Sequence, residues 1–258
     1  MEKPLIALIK GHEDDSRVLS IDSVDCSIAY HGLEEMGASI DIETNWWKFN
    51  SEDFKKYDLC VGGVFDCKYA LKRLGVENYD IPCYPDDLSL FFKDRNIEKR
   101  RVKDIIPYLS LCNDVGHRFV KPVSPKKFNA FITDNKEAFE SLYTVDSEEE
   151  IYTADIVHFI SEWRVYVQLN KIVRICNYAG NPQVFPNTTV INTMIDLWAG
   201  PCCYALDVGI VGYRTTLVEV NDFYAIGNYG LHPTEYAEML TLRWTQLTAN
   251  KRVSNESL

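Results

Sequence analysis

Two apolar runs, Tyr204-Ala-Leu-Asp-Val-Gly-Ile210 and Thr215-Thr-Leu-Val-Glu-Val-Asn221, restrict the fold of this chain more than any other stretch. Both are rich in β-branched residues, and a turn containing Gly212 separates them, which predicts a β-hairpin. Each run carries acidic or amide oxygens where a plain core strand would carry none. Strand side chains alternate faces, so Glu219 and Asn221 point the same way, about 6.6 Å apart along the strand. Whether Asp207 joins them depends on the turn. A three-residue turn, Gly212 to Arg214, pairs Asp207 with Glu219 on one face, whereas a two-residue turn sends Asp207 to the other. With the longer turn three oxygen ligands converge, a donor set that suits a hard cation such as Mg²⁺. Plain solvent-facing carboxylates are the alternative, but Leu206, Val208, Val218 and Val220 beside them argue for a buried sheet, where a bare carboxylate is costly.

The rest of the composition narrows the function classes. A chain of 258 residues with 46% hydrophobic and 25% charged residues fits a soluble globular protein of one large or two to three small domains. Its net charge of −11 argues against a nucleic-acid partner, which requires a basic face. No apolar run reaches membrane-spanning length, and the stretch before Lys10 is too short for a signal peptide. Eight cysteines without a C-x-x-C pair read as small buried hydrophobes in a reducing cytoplasm. The five histidines show no metal spacing.

Taken in order, Leu5–Ile9 reads as a strand, Ser20–Met36 as a helix, Ala38–Ile42 and Leu59–Phe65 as strands, and Lys68–Leu74 as a helix closed by Gly75. These predict a small α/β layer with a largely parallel sheet, in which Gly62-Gly63 serves ligand approach or simple packing. Pro82 and Pro85 mark a boundary. Asp86–Leu109 is charged and helical in character, with Lys99-Arg100-Arg101 on a solvated face. Arg118-Phe-Val-Lys-Pro122 is a strand whose Lys121 needs a counter-charge. The loop behind it adds Lys126 and Lys127, and phosphate is a natural partner for three such ammonium groups, although the two loop lysines also suit plain solubilisation. Asp146–Glu150 reads as an exposed acidic link. Two strands follow, Glu162–Gln168 and Lys171–Tyr178, with Arg164 and Tyr166 on one face; turn length decides whether Arg174 joins Arg164. Helices are predicted over Val190–Trp198 and from Pro233, where Tyr236, Leu240, Trp244 and Leu247 recur at helical spacing.

The order of these parts, F-V-K-P, then E-W-R-V-Y-V, then L-D-V-G, then V-E-V-N-D, resembles the ATP-grasp superfamily, which includes glutathione synthetase, D-alanine–D-alanine ligase and ligases adding glutamate to a ribosomal protein. The resemblance spans Phe119 to Gly230 at motif level. It implies an α/β fold with a small N-terminal layer at 1–85 and two subdomains, 86–158 and 159–258, that clasp ATP. Lys121 then matches the lysine on the nucleotide phosphates, with Lys126, Lys127 and Glu162 assigned to the same nucleotide. Asp207, Glu219 and Asn221 match the Mg²⁺ ligands, and Arg164, with Arg174, is placed at the transferred phosphoryl group. One departure stands out: the family's phosphate-covering loop is glycine-rich, whereas Ser124–Ala130 contains no glycine.

What the resemblance implies is an ATP- and Mg²⁺-dependent carboxylate–amine ligase working through an acyl phosphate on an amino acid, peptide or protein. Two other classes fit the same motifs, a non-catalytic nucleotide-binding module and a small-molecule kinase. Arg164 also has a structural alternative, an ion pair to Glu162 or another strand neighbour.

Overall fold

The computed structural model describes residues 4–13, 19–77, 79–109, 118–124, 127–133 and 140–252. It is a mixed α/β fold built on three four-stranded sheets. In the first, β1 (Ile6–Glu13) lies between β3 (Ser39–Glu43) and β4 (Leu59–Val61), parallel to both, and β2 (Leu19–Ile21) pairs antiparallel with its far end. The apolar run of β1 is buried on both faces, as expected of a central parallel strand. The helix Val24–Glu35 starts where the Ser23 hydroxyl accepts from Cys26 N, and it ends before Gly37, whose φ of 73° is the left-handed conformation that closes helices. Its Gly32 is required: a Cβ there would sit 2.0 Å from the Pro233 carbonyl oxygen. The last helix, Pro233–Arg252, therefore packs directly on the first layer, and Tyr236, Ala237, Leu240 and Trp244 join one core with Leu8, Ala29 and Leu33.

The second sheet is antiparallel throughout, in the order β5 (Glu98–Arg101), β8 (Glu150–Asp155), β6 (Arg118–Pro122), β7 (Phe131–Ile132). Its core is small, centred on Val102, Ile105, Val120, Leu142 and Ile151. The third sheet runs β10 (Lys171–Gly180), β9 (Ser161–Gln168), β11 (Cys203–Val211), β12 (Arg214–Asp222). Trp163, Val165, Val167, Leu206, Val208 and Leu217 cover one face and pack against the helix Thr188–Leu197. Phe159 lies over the opposite face at Gly209, where a Cβ would come within 2.3 Å of its ring. The outer edge of β12 does not face solvent alone. Val220 N donates to Cys83 O at 2.9 Å, and Arg95 Nη1 donates to Leu217 O and Val218 O at 3.1 and 2.6 Å, so residues 83–95 cover that edge.

Several local expectations change. Asp86–Leu109 is not one helix but two short 3₁₀ turns, Asp86–Phe91 and Lys93–Arg95, then β5 and the helix Val102–Leu109. Lys99, Arg100 and Arg101 thus lie on a strand, where Lys99 pairs with Tyr152. Four consecutive charged residues give no periodicity from which pairing could be read. Glu150 likewise opens β8 rather than ending a link. The stretch Ser20–Met36 is a short strand followed by a helix, since Ser23 caps the helix three residues in. Gly62 serves packing, because a Cβ there would crowd Asp66, Lys10 and Trp46 at 3.1–3.2 Å. Among the described residues no helix is long and apolar enough to cross a membrane.

Candidate functional site

The hairpin brings Asp207 opposite Glu219, as the longer turn would, but by another route. Val211 pairs with Arg214, so the turn contains two residues, Gly212 and Tyr213, and parity alone would turn Asp207 away. A β-bulge between Asp207 and Val208 leaves Val218 as one extra residue on β12 and returns Glu219 to the face of Asp207. On the other side of β11, Asp207 lies directly opposite Arg164 of β9. One row across the sheet therefore reads Arg164, Asp207, Glu219, with Asn221 two residues on.

The row is knit by charge. Arg164 holds Asp207 in a fork, Nε to Oδ1 at 2.8 Å and Nη2 to Oδ2 at 2.7 Å. The remaining nitrogen, Nη1, donates to Gly227 O at 3.2 Å, and the Tyr229 ring lies 4.6 Å from the guanidinium. The Asn221 amide donates to Asp207 Oδ2 at 3.0 Å and to Glu219 Oε1 at 3.1 Å. Glu219 also accepts from the Lys121 ammonium, which reaches over from β6 of the second sheet. Lys121 sits above the Tyr84 ring, 5.4 Å from its centroid. The counter-charge that this strand lysine requires is thus Glu219, and the sequence alternative of an ion pair for Arg164 is realised with Asp207, not Glu162.

These environments shift the protonation equilibria. Burial pushes Asp207 up to about 6 despite the guanidinium on it, with nearby Glu219 and Glu162 adding to the rise. Burial acts the same way on Glu219, but the Lys121 ammonium outweighs it and holds that carboxyl below its ordinary range. For Lys121 burial disfavours the charge, yet Glu219, Tyr84 and Cys83 overcome it and the ammonium is held above its ordinary value. Arg164 is likewise fixed in its charged form, Asp207 outweighing burial.

A cavity of about 590 Å³ opens beside this row, lined by Arg164, Glu219, Asn221, Lys99, Tyr152 and Tyr229 among others. Its walls come from the second and third sheets, with Val64, at the start of a helix of the first layer, and Asp80–Cys83, in the segment leaving that layer, completing them. Lys99, Tyr152 and Lys121 are cross-strand neighbours on β5, β8 and β6, so they face the same way. Lys99 is the functional candidate that sequence reasoning missed, because its strand was read as a solvated helix. The loop Gly227–Leu231 was also missed. Tyr166 Oη donates to Gly227 O and accepts from Tyr229 N at 2.8 Å, and Asp25 of the first layer accepts from Asn228 N at 2.8 Å. No sequence signal links Asp25 to a loop 203 residues later.

The other expected residues are less centrally placed. Glu162 accepts from Tyr178 Oη at 3.0 Å and adds to the field on Asp207. Arg174 pairs with Tyr166 in register, but its guanidinium forks onto Glu235 of the last helix, 3.0 Å at both nitrogens, and does not reach the row. Lys127 is exposed and lies 3.5 Å from Glu149. Lys126 falls outside the described residues.

Among the described residues no three His, Cys, Asp or Glu side chains gather to hold a metal ion, so any cation here depends on a mixed set that includes an amide. The residue types fit Mg²⁺, two carboxylates and an amide, although Asn221 turns its NH2 to both carboxylates and would have to rotate to offer its carbonyl oxygen as a hard ligand. Glu219 can serve only by giving up Lys121, and Asp207 only through lone pairs left over from the Arg164 fork.

Residues 92–239, more than half of the chain, match the model of an ATP-grasp domain family, the second family of its clade. No curated protein matches the sequence. Among solved structures, the chain is similar to D-alanine–D-alanine ligase from Bacillus anthracis complexed with ATP, at 15% identity and a TM-score of 0.52, covering 99% of this chain and 100% of that one. A RimK domain ATP-grasp protein from Sphaerobacter thermophilus gives 12% identity and a TM-score of 0.51, over 96% of this chain and 99% of that one. The macrocyclase MdnC from Microcystis aeruginosa, bound with its precursor peptide MdnA, gives 10% and 0.50, over 92% and 99%. At such identities the likeness is one of fold.

Proposed function

Since the chain belongs to this ATP-grasp domain family, we propose that it is an ATP-dependent ligase that joins a carboxylate to an amine through an acyl phosphate. The observation that carries this reading is the row Arg164, Asp207, Glu219 and Asn221, joined at Glu219 by Lys121 from the second sheet, beside a cavity of about 590 Å³ lined by both sheets. Lysines on one sheet and oxygen ligands on the other are what a polyphosphate with its cation requires.

In this reading the stretches 1–85, 86–158 and 159–258 act as substrate layer, cover and metal-bearing base. Lys121 moves its ammonium from Glu219 to a phosphate oxygen, and Lys99 supplies a second positive charge from β5, on the far side of β8. Glu219 and Asn221, with Asp207 behind them, would hold magnesium, which when bound neutralises charge on the transferring phosphoryl group. Arg164 keeps Asp207 oriented and anchors the Gly227 carbonyl, so its foremost task is positioning. To act on the phosphoryl group as the sequence suggested, it would use the second N–H of Nη1 or Nη2, since its three bonds to Asp207 and Gly227 occupy only three of its five donors. No side-chain nucleophile is needed, because alignment and fixed charge supply the catalysis. The proposed setting is the cytoplasm, where ATP is abundant and thiols stay reduced. The substrates are an amino acid or peptide acid and an amine.

The test is ADP release from ATP with pooled amino acids and peptides, followed by mass analysis of the product. ADP formed together with a condensed product supports the ligase. ADP formed with a phosphorylated product and no condensation makes the protein a kinase. One observation favours a second reading, nucleotide binding without catalysis: both carboxylates of the row already carry a cationic partner, Arg164 or Lys121. ATP binding with no turnover on any pool would establish it.

A further inference from the structure

A second cavity, of about 700 Å³, lies at the tip of the hairpin and shares no lining residue with the first. It is enclosed by the linker Ile156–His158, by the hairpin tip and by the turns around Leu90 to Arg95. Its walls carry Leu90, Val157, Val190 and Tyr213, and two of these are unusually open for large apolar side chains, Leu90 at 64% and Tyr213 fully exposed.

Arg95 is the anomaly of this cavity. It is only 6% exposed, yet it makes no ion pair among the described residues. Its Nη1 bonds to the carbonyls of Leu217 and Val218, its Nε is buried without a partner, and Nη2 makes no hydrogen bond among the described residues. The adjacent carboxylate, Asp94, is taken by Arg214. The rings of Tyr84 and Phe159 lie 5.6 and 6.0 Å from the guanidinium, which softens but does not cancel the charge. Buried charges are ordinarily paired, because desolvation without a counter-ion is costly. Carbonyl oxygens satisfy donors and leave the charge itself uncompensated. Lys93, exposed on the cavity wall, adds a second cation that is unpaired among the described residues, in a protein whose net charge is −11.

We propose that this cavity binds a small anion joined to an apolar ring, its oxygens on Arg95 and its ring against Leu90 and Val190. The proposal does not depend on the ligase reading, since the two cavities are separate. Phenyl phosphate is the probe, titrated calorimetrically into the full chain. One saturable site is expected, weakened by about 10–100-fold in Arg95→Met through loss of hydrogen bonds to a charged group. Arg95 also braces the β12 edge, so Lys93→Glu serves as a second variant on an exposed position; it should weaken binding about tenfold without changing the melting temperature. Lys121→Met should leave phenyl phosphate affinity unchanged. No saturable binding, or affinity indifferent to both Lys93→Glu and Arg95→Met, overturns the proposal. So does loss of binding in Lys121→Met, or displacement of the probe by ATP, which would put the anion in the cleft between the sheets.

Discussion

Replacing Lys121 by Met keeps the stem over Tyr84 and removes only the charge. Glu219 then retains one donor, the Asn221 amide at 3.1 Å, while remaining largely buried. Breaking a fully buried ion pair costs about 3–5 kcal/mol. The side chains here are 13% and 25% exposed, so solvent screening lowers the expectation to about 2–3 kcal/mol. For a chain of this size that is a fall in melting temperature of about 5–10 °C. The pH dependence has a definite sign. In the wild type Glu219 is held below its ordinary range, so its contribution is present above the unfolded value and lost as pH falls through the folded one. Without the ammonium, burial dominates and raises the carboxyl, so the variant should regain relative stability as pH falls toward about 4–5. Adding Glu219→Gln removes the orphaned charge and should restore most of the loss. Calorimetric melting of the wild type, both single variants and the double variant gives the coupling. Single losses that simply add, with a coupling below about 0.5 kcal/mol, would refute a buried Lys121–Glu219 pair.

Burial is the main cause that raises Asp207 to about 6, so between about pH 4 and 6 it is protonated in the native state while the unfolded chain is ionised. Stability should therefore fall as pH rises from about 4 to 6, and magnesium–ADP affinity should drop about tenfold per pH unit below about 6. Asp207→Asn should remove the stability step and leave in the affinity profile only the titration of the ADP phosphate itself, at about pH 6, as titration calorimetry and thermal melts across about pH 4–8 will read. Arg174→Ala should alter nucleotide affinity less than about twofold and stability by less than about 1 kcal/mol, because its pair with Glu235 is partly exposed and away from the cavity; a large loss of affinity would return Arg174 to the site. Lys99→Ala should weaken ATP binding about tenfold while the fold persists, since its pair with Glu150 is half-exposed. An unchanged dissociation constant would make Lys99 a surface residue.

How much could be read from the sequence follows from the range of each signal. The hairpin, the strand lysine and the arginine strand were legible because alternation and β-branching are local. The α/β layer was legible for the same reason, and its helix ends were set by Ser23 and Gly37. The bulge at Val218 was not, since nothing in T-T-L-V-E-V-N marks one residue as extra, and the groups bonded to the β12 edge there, Arg95 and Cys83, lie over a hundred residues away. The right face was thus reached through the wrong turn. Lys99 was lost for want of periodicity, and Arg174 was assigned to the site because its partner, Glu235, is on a helix 61 residues later.

Charge accounting ties the row to the proposed reaction. Arg164 and Lys121 carry two positive charges, Asp207 and Glu219 two negative ones, and Asn221 bridges the carboxylates with its amide. The row is neutral, and that is how four ionic groups share a mostly buried face. A phosphate oxygen that takes Lys121 alone leaves Glu219 an uncompensated anion, and a cation that takes Glu219 alone leaves Lys121 uncompensated. Either half by itself meets the cost of an orphaned buried charge, and both together replace one neutral arrangement by another. Under the proposed function nucleotide and cation therefore strengthen each other's binding, by the same factor in either direction. Asp207 does not join in this exchange, because the fork from Arg164 keeps its counter-charge in place throughout. That is the physical reason to assign the exchange to Glu219 and the fixed frame to Arg164 and Asp207.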